Sequence, residues 1–302
     1  MVHNRRDIHI RDPFVLPLPA EGRYLLFGTT AGKNAWAGPG LGFDGFVSRD
    51  LENWDGPIAA FRPPADFWAN TQFWAPECFP WQGRYYLFAS FARDEHHRGT
   101  QILVADRAEG PYCPHSDGPV TPREWECLDG TLFVDAAGQP WMAFCHEWVQ
   151  VEDGEMCAVR LANDLRCAIG KPTLLFRASD AAWSRPFAHS GRQNNRVTDG
   201  PFFHRGADGR LLMLWSTVGP EGYAMGYALS ESGGVFGPWI QSPAPLFSKD
   251  GGHGMLFRAF DGRLLLTIHV PNRSPEERMH LLEIEECAQG LKVKSFSEGT
   301  QN

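Results

Sequence analysis

The chain has 302 residues and a formal charge of −8 with no evident basic patch, which argues against nucleic acid as a main partner. No apolar run approaches ~18 residues, so no membrane span is expected. The stretch Met1-Val2-His3-Asn4-Arg5-Arg6 lacks an apolar signal core, and a cytoplasmic location is the corresponding expectation. Seven cysteines without a close CxxC pair read as reduced thiols rather than a disulfide frame.

Taken in order, the chain repeats one phrase five times: a strand opening with a polar residue, a glycine turn, then an apolar strand. The first is Arg11-Asp12-Pro13-Phe14, turn Glu21-Gly22-Arg23, strand Tyr24-Leu25-Leu26-Phe27. The second is Trp74-Ala75-Pro76-Glu77, turn Gln82-Gly83-Arg84 and strand Tyr85-Tyr86-Leu87-Phe88. Leu128-Asp129-Gly130-Thr131, Thr198-Asp199-Gly200-Pro201 and Gly252-His253-Gly254-Met255 open the remaining three. A third strand and a polar turn, with Gly-Pro in three repeats (Gly56-Pro57, Gly110-Pro111, Gly237-Pro238), follow the first four phrases. Helical periodicity is scarce. The expected fold is therefore all-β: a five-bladed β-propeller with four antiparallel strands per blade. It forms a single domain over residues 1–302, with blades starting near residues 10, 73, 127, 197 and 251. The long segments 59–72 and 178–196 exceed hairpin loops and are placed on the functional face.

In a propeller the first strand of each blade lines the central channel. Asp12, Glu77, Asp129, Asp199 and His253, taken as occupying one point of that strand, should converge at one mouth. Converging carboxylates need partners or solvent, and proline or glycine beside each suits the presentation of a side chain. The alternative is that they bond backbone groups of neighbouring blades.

These motifs, together and in this order, resemble glycoside hydrolase family 43, over about residues 8–285. The resemblance implies a five-bladed propeller and mostly inverting arabinofuranosidase, xylosidase or arabinanase activity. It implies Asp12 as general base and Asp129 as the carboxylate that orients the acid and raises its pKa. It places the general acid at position 199, where the family usually has Glu-Gly-Pro and this chain has Asp199-Gly200-Pro201. Aspartate is one methylene shorter, so three outcomes stay open: Asp199 acts with a shifted backbone, another carboxylate substitutes, or the protein is silent. Glu147, in Cys145-His146-Glu147-Trp148, is the substitute, since a carboxylate between a histidine and a tryptophan can be desolvated. No cofactor is required; the resemblance allows a central calcium or sodium ion beside His253 as metal ligand.

Glu77, Trp74, Phe73, Trp148 and Arg196 are candidates for substrate binding, with the aromatics as stacking platforms or core, and Arg196 as hydroxyl ligand or ion-pair partner. The expected function is an inverting, exo-acting glycosidase that removes a pentose, α-L-arabinofuranosyl or β-D-xylosyl, from oligosaccharides. The alternative is a catalytically silent carbohydrate-binding propeller.

Overall fold

The computed structural model describes residues 1–30, 35–36, 38–288 and 290–295. Five antiparallel sheets form the blades of a propeller, each built from inner to outer strand in chain order apart from the outermost strand of the first. The inner strands are Arg11–Leu18, Thr71–Trp81, Cys127–Val134, Asp199–Arg205 and Leu256–Arg258. The third strands anticipated from the sequence fall within Phe43–Ser48, His96–Ala105, Glu155–Leu161 and Gly222–Ser230. Four sheets have four strands; the first has five, because Val2–Asn4 adds to the outer edge of Asn53–Phe61. Among the described residues the sole α-helix is the single turn Trp148–Val151, and no helix is long and apolar enough to cross a membrane.

The core lies between blades, where neighbouring sheets bury apolar faces against each other. Phe27, Phe43, Phe61, Phe73 and Phe91 pack between the first two blades, and Phe88, Phe144 and Met142 between the second and third. Met213, Trp215, Trp183 and Phe176 join the third to the fourth, and Leu214, Leu266 and Ile268 the fourth to the fifth. Among the described residues no strand is exchanged between the first and last blades. Instead Ile10 N–H donates to Glu277 O (3.2 Å), Thr267 Oγ1 donates to Pro13 O (2.6 Å) and Arg278 Nε donates to Arg6 O (2.9 Å).

Each inner segment is interrupted by a bulge near its start, seen as a shift in pairing between Arg11 and Phe14, Trp74 and Glu77, Leu128 and Thr131, and Asp199 and Phe202. The fifth blade repeats it between the Gly252–His269 bridge and Met255, whose carbonyl accepts from Thr267 N–H. One residue of each bulge has a left-handed backbone: Asp12 (φ 53°), Ala75 (45°), Asp129 (58°), Gly200 (53°) and His253 (46°). The bulge N–H groups are met by side chains from the second strand of the preceding blade. Thr29 Oγ1 accepts from Ala75, Ser90 Oγ from Asp129, Ser216 Oγ from His253 and His269 Nδ1 from Asp12. Such repetition holds an otherwise unfavourable conformation at the axis. The equivalent residue for Gly200 is Cys145, paired opposite Leu128, and there the pattern breaks: Gly200 N–H donates to Asp129 Oδ2 at 3.0 Å.

Candidate active site

The bulges correct the expected register. Asp12, Asp129 and His253 do share one position, but its counterparts in blades two and four are Ala75 and Gly200. Asp199 precedes the bulge position by one residue, and Glu77 follows it by two. The reason at blade four is steric. A Cβ at Gly200 would lie 2.5 Å from the His253 ring, so no side chain fits there and the carboxylate stands one residue earlier. Glu77 belongs to the next layer down, equivalent to Phe14, Thr131, Phe202 and Met255. It does not line the pocket; its Oε2 is buried without a hydrogen-bond partner, although the side chain as a whole keeps some exposure.

Asp12, Asp129, Asp199 and Glu147 line one cavity of about 250 Å³, together with His253, Arg11, Tyr223, Trp36, Trp74 and Trp148. Phe73 is absent from it: the side chain is 5% exposed and packs edge-on against Phe91 at 4.8 Å, so it is core rather than platform. Arg196 is absent as well, because its guanidinium donates to Ser184 O (2.8 Å) and Ser184 Oγ. Trp125 stacks on His146 at 4.2 Å, outside the cavity.

Electrostatics split the four carboxylates. Desolvation alone would raise the Asp12 carboxyl. It is outweighed by His253, Arg11 and the Thr29 hydroxyl, which hold Asp12 below the ordinary range. His253 Nδ1 lies 3.1 Å from Asp12 Oδ1, and Thr29 Oγ1 donates to Asp12 Oδ2 at 2.8 Å. His269, pushed down to about 3 by burial and by Arg11, is neutral; its Nδ1 accepts from Asp12 N–H. Its short approach to the Asp12 carboxylate is therefore not an ion pair. Asp199 is raised to about 7 by desolvation and by Asp129, against the pull of His253 and of the Tyr223 hydroxyl, which donates to Asp199 Oδ2 at 2.9 Å. Desolvation and the neighbouring Asp12 raise Asp129 to about 8. Glu147 is raised by burial, but Arg98 forms an ion pair with it and opposes the shift.

The sequence reading missed three residues that line the pocket, Tyr223, Trp36 and Arg11, and one that stands behind it, Arg98. Tyr223 comes from a third strand, and its ring stacks on His269. Arg98 donates to Glu147 and Gln72 and lies 4.4 Å from the Trp74 ring centroid. Trp36 packs edge-on against Trp74 at 5.3 Å, under the Arg11 guanidinium at 4.7 Å. Arg11 itself reaches the buried Glu277 at 2.7 Å. Tyr223, Arg98 and Trp36 sit beside no motif, whereas Arg11 directly precedes Asp12 within one. Among the described residues no group of three or more His, Cys, Asp and Glu side chains is arranged to hold a metal ion.

The axial bulges thus bring Asp12 and Asp129, with Asp199 one residue ahead of its own bulge position, into a tryptophan-rimmed pocket. The chain belongs to glycosyl hydrolases family 43, whose profile matches residues 8–292, and it is thereby a member of a glycosidase family. It is similar to an endo-arabinase from Bacteroides thetaiotaomicron VPI-5482 (40% identity, TM-score 0.87, 94% of this chain and 97% of that one). It shares the fold of an α-L-arabinofuranosidase from Lactobacillus brevis (18% identity, TM-score 0.73, 93% and 92% covered). A stretch of 124 residues is 27% identical to xylosidase/arabinosidase 43A of Humicola insolens; it spans 41% of this chain and only 32% of that relative.

Proposed function

We propose that the protein is an inverting glycosidase that releases pentose units, α-L-arabinofuranosyl or β-D-xylosyl, from oligosaccharides. The observation that carries this reading is the division of one pocket between an ionised Asp12 and an Asp199 still protonated near neutrality. Paired carboxyls pushed apart in this way supply a base and an acid together. Asp12 takes the proton of the attacking water on one face of the sugar, and Asp199 protonates the departing oxygen on the other. Asp129 and Asp199 lie too close and too buried for both to ionise, so the pair retains a proton near neutrality, and Asp129, accepting from Gly200 N–H, fixes the backbone behind Asp199. Asp199 serves as the acid in preference to Glu147 because its direct partner is a neutral hydroxyl, whereas Arg98 favours the ionised form of Glu147. Glu147 then binds sugar hydroxyls, with Trp36, Trp74 and Trp148 as the walls.

The compact, aromatic-walled pocket supports exo action on a chain end. Endo action is the second reading, favoured by the likeness to the endo-arabinase. An ion beside His253 would find a single engaged imidazole, with Nδ1 already on Asp12, so water would complete its ligand set. The proposed chemistry is assigned to protein groups alone.

A panel of aryl α-L-arabinofuranosides and β-D-xylosides tests activity, and product sizes from arabinan separate monomer release from internal cleavage. Inversion is read by proton NMR of the first-formed anomer. Absence of turnover on every pentoside, with sugar binding retained, would replace this reading with a silent binding module.

A further inference from the structure

A second groove, of about 390 Å³, opens beside the second blade and is distinct from the carboxylate pocket. It lies on the same face, since its walls come from the loops that precede the inner strands of blades two and three and from the start of His96–Ala105. Its size is in the range of small-molecule sites, ~300–1,000 Å³.

The groove is preformed. Trp68, partly exposed on one wall, donates its indole N–H to Gln101 Oε1 at 2.6 Å. The buried Gln101 in turn donates to Ser116 O on the opposite wall at 2.8 Å. One amide thus fixes the separation of both loops and the orientation of the ring. The exposed rim carries both signs of charge and both bonding roles, through His96, Asp117 and Arg123. A fixed indole with a mixed-sign polar rim suits a neutral polyhydroxylated ligand better than an anion or a cation. Arg98 is the partition between the two sites: it lines the groove, while its guanidinium holds Glu147 and covers Trp74 in the carboxylate pocket.

The geometry points to an accessory glycan site that holds the remote part of a pentose oligosaccharide whose end occupies the carboxylate pocket. This inference rests on the reading that the protein acts on oligosaccharides. The test uses α-1,5-arabino-oligosaccharides and β-1,4-xylo-oligosaccharides of two to six units, with calorimetry on the Asp12→Asn full chain and kinetics on the active protein. The hexamer of one series binds more tightly than the dimer. Trp68→Ala raises its dissociation constant and KM by about tenfold and leaves turnover of aryl monosides within twofold. Because Trp68 packs on its neighbours, the rim variant His96→Ala/Arg123→Ala provides a check free of folding loss, and it weakens the hexamer in the same direction. Hexamers that bind no better than dimers, or binding indifferent to both variants, overturn the groove. Hexamer binding that depends on Trp68 without any turnover upholds the groove and instead sinks the glycosidase reading.

Discussion

Tyr223→Phe removes one hydroxyl and retains the ring that stacks on His269. The lost bond, 2.9 Å from Tyr223 to Asp199 Oδ2, serves the ionised carboxylate, so its loss favours the protonated form. A hydrogen bond to a charged group contributes about 1.5–3 kcal/mol, and one pKa unit corresponds to ~1.36 kcal/mol, so Asp199 should rise by roughly 1–2 units from about 7. The acid must be protonated to act. The alkaline limb of kcat/KM against pH therefore moves upward by roughly 1–2 pH units. At the wild-type optimum, alkyl pentosides with poor leaving groups slow more than nitrophenyl pentosides, because a weaker acid is a poorer donor. A merely structural role would lower activity or melting temperature without moving the limb. A limb that stays in place, or shifts downward, refutes Asp199 as the acid and points to Glu147.

Asp12→Asn should lower kcat by roughly 10²–10⁴-fold with far-UV circular dichroism unchanged, checked on nitrophenyl pentosides. Arg98→Met leaves Glu147 buried opposite nothing, and urea unfolding should show a loss of about 3 kcal/mol; the double variant with Glu147→Gln should recover most of it. Glu77 is raised well above the ordinary range, chiefly by desolvation. A carboxyl raised on folding weakens the fold as pH climbs from its unfolded value through its folded one. Glu77→Gln should therefore match the wild type near pH 4 and gain melting temperature over it progressively toward alkaline pH; a constant difference across pH would contradict the placement.

The blades were legible because their cues are local. Asp-Gly-Arg turns between apolar runs need nothing distant, and the third strands and Gly-Pro edges fell where those cues put them. Asp12, Asp129 and His253 were legible as equivalents for the same reason. The register at blades two and four was not, because a polar residue was matched to a polar residue. The backbone offers a better guide: Pro13, Pro76 and Pro201 each follow the left-handed residue, and Gly130 and Gly254 take the same place. Aligning those five would have set Asp199 one step early and Glu77 in the layer beneath. Tyr223, Arg98 and Trp36 carry no such sign. Their roles arise from which strand ends and loops the ring brings together. Phe73 misled because an aromatic beside a motif looks the same in sequence whether it faces the sugar or the neighbouring sheet.

The seam between the first and last blades has a consequence for the chemistry. Asp12 stands on one side of it and His253 on the other, and beneath them Arg11 reaches across to Glu277. The proposed base and the imidazole beside it are thus contributed by opposite ends of the chain. A gap opening there would separate them while the apolar packing between the other blades stayed whole. If Asp12 is the base, hydrolytic competence and a shut ring are one condition, because the last blade must come round to meet the first before the pair is assembled.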